Sequence, residues 1–471
     1  MQVRNPRNGK LDYSFQPNTA DEVSHFVEEL RSAHSDWKNR TIEERVGVLM
    51  QFASALEAKS EDVFDQLSID TGRRKISKIE IQGSIGVVKG RCFSSPSLMK
   101  DESSRQSVTN PNVQIRQQLV PYPVVGVISP WNFPLLLSLI DTVPALLAGC
   151  TVILKPSEVT PRFIDVLEDI VNGIPDLRNV LKVVRGGAET GKALVDSVDA
   201  VCFTGSTSTG LKISQRAAER FIPAFLEMGG KDPAVVLEDA DLEVASDAIM
   251  RSAAGASGQA CQSLERVYIQ KSIFSELVEI LVAKSNACSF NDDYSKGGTL
   301  GPLIFENQAS KIAAQLKDAV TKGAQIRSGG KVENIEGGLW IAPTVVTNVN
   351  HDMMLMTEET FGPVIPCMSF ETEEEAIALS NDSQYGLSAS VFSKDIEKAI
   401  SVANRLEAGG ISINDGSLTN QVFDATKNSF KLSGINGSRM GAEGFTRFFR
   451  KKALLVQSVH PSSIHSQDEE V

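Results

Sequence analysis

Six cysteines are spread over the 471 residues, and one of them, Cys261, follows Gly258-Gln259-Ala260 in a loop of small residues that leaves its sulfur open to approach. A cysteine that attacks carbon does so as a thiolate, so a neighbouring group has to take its proton. A lone cysteine is more often a buried, inert thiol, and its partners decide between the two. None of the five histidines, His25, His34, His351, His460 and His465, stands in a motif-like setting, which leaves a Cys-His pair without support. The candidate base is Glu227, ahead of Met228-Gly229-Gly230-Lys231. The other cysteines, Cys92, Cys150, Cys202, Cys288 and Cys367, have neither metal-ligand spacing nor the density of a disulfide framework. A reducing compartment and no metal are expected.

A second constellation suits a phosphate. Thr204-Gly-Ser-Thr-Ser-Thr-Gly210 follows a β-rich run and opens a helical one, where free backbone N–H groups and the helix dipole attract an anion. Alone it reads as a tight turn, since it lacks the G-x-G-x-x-G spacing. Lys155-Pro-Ser-Glu158, after another β-rich run, changes that reading. A carboxylate beyond a strand end hydrogen-bonds both ribose hydroxyls and repels a 2′-phosphate, so Glu158 favours NAD over NADP.

The elements that must position these groups follow from rhythm. Short β-rich runs at 124–128, 151–154, 180–184, 200–203 and 224–226 alternate with helical segments or glycine turns, which predicts parallel βαβ winding with ligands at the carboxyl ends. Those ends carry Ser129-Pro-Trp-Asn-Phe-Pro134, Lys155, Gly186-Gly187, the Thr204 turn and Glu227. A second α/β rhythm, from 233 to about 413, holds Cys261 and Glu358-Glu-Thr-Phe-Gly362, so a cleft between two lobes is the expected site. Ahead of both, 22–58 reads as helical. A polar run at 100–112 leads into 113–120, whose alternation reads as an exposed strand of the kind that often pairs with another subunit.

Composition narrows the function. The net charge is −12 with a pI near 5.1, which repels a polyanion and argues against nucleic acid. The basic group Arg447, Arg450, Lys451 and Lys452 reads as a solvated or subunit-facing stretch. The segment 133–154 is long enough to span a bilayer, but Pro134, Asp141 and Pro144 interrupt it, so a buried helix and a buried strand are expected rather than membrane insertion. The first ten residues lack an apolar h-region, and a cytoplasmic location is expected.

In order and spacing, Pro130-Trp-Asn-Phe-Pro134, Leu154-Lys-Pro-Ser-Glu158, Phe203-Thr-Gly-Ser-Thr207, Leu226-Glu-Met-Gly-Gly-Lys231, Gly258-Gln-Ala-Cys261, Glu358-Glu-Thr-Phe-Gly-Pro-Val364, Tyr385-Gly-Leu387 and Ile413-Asn414 resemble the aldehyde dehydrogenase superfamily, from about 22 to 457. The resemblance implies an α/β fold with a Rossmann-like cofactor domain (1–106 and 124–227), an α/β catalytic domain (228–427) and a small β oligomerisation arm (107–123 and 446–458). It implies Cys261 as nucleophile, Glu227 as general base and Asn132 as oxyanion donor. Trp131, Lys155, Glu158, Gly205, Ser206, Glu359 and Phe361 would bind the cofactor: Lys155 and Glu158 the adenosine ribose, Ser206 the pyrophosphate, Glu359 and Phe361 the nicotinamide riboside. A homodimer or homotetramer is implied as well.

The implied reaction oxidises an aldehyde to its acid with NAD, or NADP, through a thioester on Cys261. Relatives that resolve the thioester with coenzyme A usually lack the glutamate, so Glu227 favours hydrolysis. A coenzyme A-acylating semialdehyde dehydrogenase and a catalytically silent binding or structural member are the alternatives. The family's substrate tunnel is lined by the helix after the asparagine, which here offers Leu137 and Ile140. That apolar lining suggests a medium aliphatic or aromatic aldehyde, because a buried charge needs a partner. Two stretches depart from the family pattern: Gly255-Ala-Ser before Gly258 with Gln262-Ser263 after the cysteine, and the long glycine turn Ser433-Gly-Ile-Asn-Gly-Ser-Arg-Met-Gly441.

Overall fold

Thr19 and Thr41 each accept the N–H of a glutamate three residues on, and Glu22 and Glu44 return a carboxylate to the threonine N–H. These reciprocal caps start two helices, Ala20–Asn39 and Ile42–Ala58. The stretch 22–58, expected to be helical, is two helices with a break at Arg40, whose backbone is extended. Two further helices, Ser60–Thr71 and Arg74–Leu98, are separated by Gly72 at φ +67°. The computed structural model describes residues 1–99, 104–295 and 297–461. The start of the polar run, at 100–103, and His465 lie outside the described residues.

Two sheets follow. The first is six-stranded, in the order Gly434–Ile435, Ala224–Glu227, Ala200–Thr204, Val124–Ile128, Thr151–Lys155, Leu181–Val183. The last five are parallel, as expected, and Val124–Ile128, Thr151–Lys155 and Ala200–Thr204 are buried at every residue, as in a sheet covered on both faces. The chain winds outward from Val124–Ile128 and returns to its other side at Ala200–Thr204, so the switch point lies between Ile128 and Thr204. Gly434–Ile435 adds an antiparallel edge strand from the long glycine turn. A two-residue strand has no period to read.

The segment 133–154 forms the helix Pro134–Ala148, ended by Gly149 at φ +99°, and then the strand Thr151–Lys155. Among the described residues, no helix is long and apolar enough to cross a membrane. Asp141, inside this apolar helix, is fully buried between Arg439 and Arg447. This corrects the reading of the basic group. Arg447 is a buried ion-pair partner, and only Arg450, Lys451 and Lys452 are exposed.

The second sheet has seven strands, ordered Gln325–Ile326, Thr344–Thr347, Val364–Phe370, Leu264–Gln270, Asp232–Val236, Ser388–Phe392, Gly410–Ile413. All but the first are parallel. The strand Val113–Pro121 pairs along its whole length with Phe449–Gln457, and with Arg105–Gln106 on its other edge. Leu455, on this small sheet, is 68% exposed.

Candidate active site

Asn132 and Glu227 both stand at carboxyl ends of the first sheet, as the winding predicts. Cys261 and Glu359 are placed the other way: they precede the strands Leu264–Gln270 and Val364–Phe370, at the amino ends of the second sheet. The carboxyl edge of one sheet thus faces the amino edge of the other, and the turn Met228-Gly-Gly-Lys231 runs from Glu227 directly into the second sheet.

That turn brings three groups together. A Cβ on Gly229 would overlap the Glu359 carboxylate, and one on Gly230 would stand 2.8 Å from the Cys261 carbonyl oxygen. The Gly230 N–H donates to Glu359 Oε1 at 3.3 Å. Side chains at either glycine would push Cys261 and Glu359 away from the end of Glu227. The Glu227 carboxylate accepts from Ser429 Oγ at 2.9 Å, and its carbonyl accepts the Gly205 N–H at 3.2 Å. The phosphate-type turn is therefore tied to the candidate base.

Asn132 is 3% exposed, and its Nδ2 donates to the Gln259 carbonyl at 3.0 Å, two residues before the cysteine. A primary amide has two N–H donors, and this bond uses one. Among the described residues, the Cys261 N–H makes no hydrogen bond within the protein. Arg73, fully buried, donates to the Asn132 carbonyl and to the Ala256 carbonyl at 3.2 Å, and so clamps the amide loop to the cysteine loop. Glu80 accepts the Leu135 and Leu136 N–H groups at 2.8 and 3.1 Å. It caps the helix that follows Asn132, and burial pushes its carboxyl up to about 7. Sequence reasoning passed over both residues because they lie in an unremarkable helix more than fifty positions away.

The cysteine loop takes its shape from three consecutive left-handed residues, Ala256 at φ +52°, Ser257 at +58° and Gly258 at +69°. Two of the three carry a Cβ, which makes the turn strained. It is held by Ser257 Oγ on the Gly301 carbonyl at 2.8 Å and by Gln259, whose amide bonds Pro302 and Ile304. Gly258 packs against the Gly362-Pro363 backbone, where no Cβ fits. Cys261 itself keeps part of its surface open, yet burial of its surroundings pushes the thiol up to about 12, against the opposing pull of the Lys427 and Arg439 charges. Alkylation of Cys261 in the absence of cofactor is expected to accelerate about 10-fold per pH unit up to about pH 10. A plateau at about pH 8, where an unburied thiol levels off, would contradict this burial; peptide mapping of the labelled protein supplies the measurement.

Glu265 holds the Glu359 loop. It accepts the Thr360 and Phe361 N–H groups at 2.6 and 2.7 Å and pairs with Lys231 at 2.8 Å. Burial, with Glu265 nearby, pushes the Glu359 carboxyl up to about 8. Phe361, at φ +55°, stacks edge-on against Trp131 at 5.3 Å, so one aromatic contact joins the two lobes at the predicted cofactor side. Lys155 Nζ lies 3.4 Å from Glu158 Oε2, and Gly187 lies beside Glu158, whose Oε1 would be 3.9 Å from a Cβ there. Ser206 caps the helix Thr207–Glu219, leaving its first N–H groups at the Gly205 turn. A carboxylate beside a lysine, a neighbouring glycine and a helix N-terminus at the switch point fit a dinucleotide. Of the two residues expected to line a substrate tunnel, Leu137 is partly accessible and Ile140 is 3% exposed. His351 is engaged by Asp382 at 2.6 Å and Tyr268 at 2.9 Å.

Known proteins resemble this chain. Residues 1–454 match the model described as the Aldehyde dehydrogenase family. The 3,6-anhydro-alpha-L-galactose dehydrogenase of Streptomyces coelicolor is 32% identical over 470 residues, 97% of this chain and 93% of that protein. Among solved structures, PutA of Anabaena variabilis superposes with a TM-score of 0.96 at 47% identity, covering 98% of this chain and 99% of that one. Betaine aldehyde dehydrogenase from Staphylococcus aureus, in complex with NAD+, gives 0.92 at 30% identity, covering 99% and 92%.

Proposed function

The chain belongs to the aldehyde dehydrogenase family, and from that premise we propose that it oxidises an aldehyde to the carboxylic acid, through a thioester on Cys261 that is hydrolysed with Glu227 as base. The observation that carries this reading is the Gly229-Gly230 turn, which sets the Cys261 backbone and the Glu359 carboxylate against the end of the Glu227 strand.

Each residue has a role that its geometry supports. Cys261 Sγ, its proton released to solvent, adds to the carbonyl carbon, and the oxygen that becomes negative accepts from the second Asn132 N–H and the Cys261 N–H; when the C–H bond breaks and its electron pair leaves as hydride, the carbonyl re-forms as the thioester. One such donor stabilises the transition state by about 3–4 kcal/mol. Bound NAD supplies the hydride acceptor. Glu227 then takes a proton from the water that attacks the thioester, while Ser429 on Oε2 leaves Oε1 for that water. Arg73 and Glu80 keep the Asn132 loop at the cysteine.

For the cofactor, Lys155 and Glu158 would hold the adenosine ribose, the Gly205-Ser206 turn the pyrophosphate, and Glu359 with Phe361 and Trp131 the nicotinamide riboside. The Glu158 carboxylate favours NAD over NADP. The exposed face of Phe449–Gln457, with Leu454, Leu455 and Val456, would join subunits in a homodimer or homotetramer.

Steady-state NADH formation from an aldehyde, with no coenzyme A present, is the expected result. NADH that appears only after coenzyme A is added would replace this reading with acyl transfer.

A further inference from the structure

The wall beside Cys261 is more polar than the helix of Leu137 and Ile140 suggests. Residues 426–429 lead into the strand Phe430–Lys431. Ser429 puts its hydroxyl on the Glu227 carboxylate at 2.9 Å, and Lys427, two residues earlier, packs on the first residue of the strand Gly410–Ile413, at the amino edge of the sheet where Cys261 also stands. Its backbone N–H is fixed on Ser438 Oγ at 3.1 Å, and its stem lies against Gly410, where a Cβ would meet Cδ at 2.9 Å.

The head group of this lysine is unspent. Among the described residues, the Lys427 ammonium makes no ion pair or hydrogen bond, although the residue is half-buried. It is the leading charge acting on the Cys261 sulfur and also acts on the buried Asp232 carboxyl. Arg439, the other cation felt at Cys261, is engaged by Asp141 at 2.6 Å and by Thr204. A half-buried ammonium beside a reacting carbon forms a site that an anion completes. The phosphates of the cofactor are assigned to the Ser206 turn, which leaves the substrate.

Resting on the aldehyde oxidation proposed above, we infer that the substrate is an aldehyde bearing a carboxylate, which pairs with the Lys427 ammonium while its carbonyl carbon lies at Cys261 Sγ. This replaces the apolar aldehyde suggested by the helix alone. The helix supplies the wall for the intervening carbons, and Lys427 reads the far end.

The test compares n-alkanals with ω-oxo carboxylates of equal carbon number, with NAD and the full-length enzyme, by NADH absorbance. The wild type is expected to favour the oxo acid by at least about 10-fold in kcat/KM. Lys427→Met is expected to lower that ratio about 30-fold, chiefly through KM, and Lys427→Arg to retain the preference. A wild type that oxidises alkanals as well as oxo acids, or a ratio unmoved in Lys427→Met, overturns the inference while leaving the aldehyde oxidation standing. Should the methionine variant fail to fold, inhibition of the wild type decides: a dicarboxylate of the product's length should outcompete the matching monocarboxylate at least about 10-fold, and equal inhibition overturns the inference. No NADH from either series would remove the aldehyde oxidation itself, and this substrate assignment with it.

Discussion

Cys261→Ala is expected to lower steady-state NADH formation by at least about 10⁴-fold while leaving NAD binding within a few-fold of wild type. The reaction drawn here has no other nucleophile. The remaining described cysteines are buried, as are Cys92, Cys150, Cys202 and Cys367, or set apart on another element, as is Cys288 after the helix Phe274–Asn286. Alanine removes the sulfur without adding bulk to a loop already fixed by Ser257 and Gln259, so the fold should hold. Cofactor binding, read by the NAD-induced shift in Tm, separates loss of chemistry from loss of structure. Retained turnover in this variant would dismiss Cys261 as the nucleophile.

Glu227→Gln acts later in the same cycle. Glutamine has the shape of glutamate and accepts the Ser429 hydroxyl as readily, so Gly205, Ser429 and the edge strand keep their places. What it lacks is a lone pair basic enough to take the proton of water. Rapid mixing should show one equivalent of hydride transferred per site, followed by a steady rate about 10²–10³-fold below wild type. A burst abolished along with the steady rate would move Glu227 to thiol activation; an unchanged steady rate would remove it from the reaction.

The first lobe was legible because each of its functional groups sits at the carboxyl end of a parallel strand, a place marked locally by β-rich residues giving way to polar ones. Asn132, Lys155, the Gly205 turn and Glu227 all stand where that pattern put them. The second lobe reverses this polarity. Cys261 and Glu359 precede their strands, and nothing local in a sequence says that a strand's amino end will carry the chemistry. Of the three left-handed residues before Cys261, only Gly258 announces itself; Ala256 and Ser257 adopt that backbone because Arg73 and Gly301 hold it from a distance. Arg447 was misread for a related reason. Its neighbours are solvated lysines and arginine, and its partner is Asp141, 306 positions earlier. A lone aspartate in an apolar helix was itself a signal that a cation must arrive from elsewhere in the chain, and following it would have found both arginines.

That separation also orders the assembly of the molecule in time. Asp141 is made long before either of its counter-ions, which lie 298 and 306 residues downstream. At about 5–20 residues per second, the growing chain carries this carboxylate unpaired for roughly 15–60 s. The first sheet can wind early, but the helix behind Asn132 cannot bury its aspartate cheaply until Arg439 and Arg447 have left the ribosome. The hydroxyl that braces Glu227 and the strand beside it arrive in the same stretch, so a nascent chain lacks a finished reaction centre until residues 429–447 have been made.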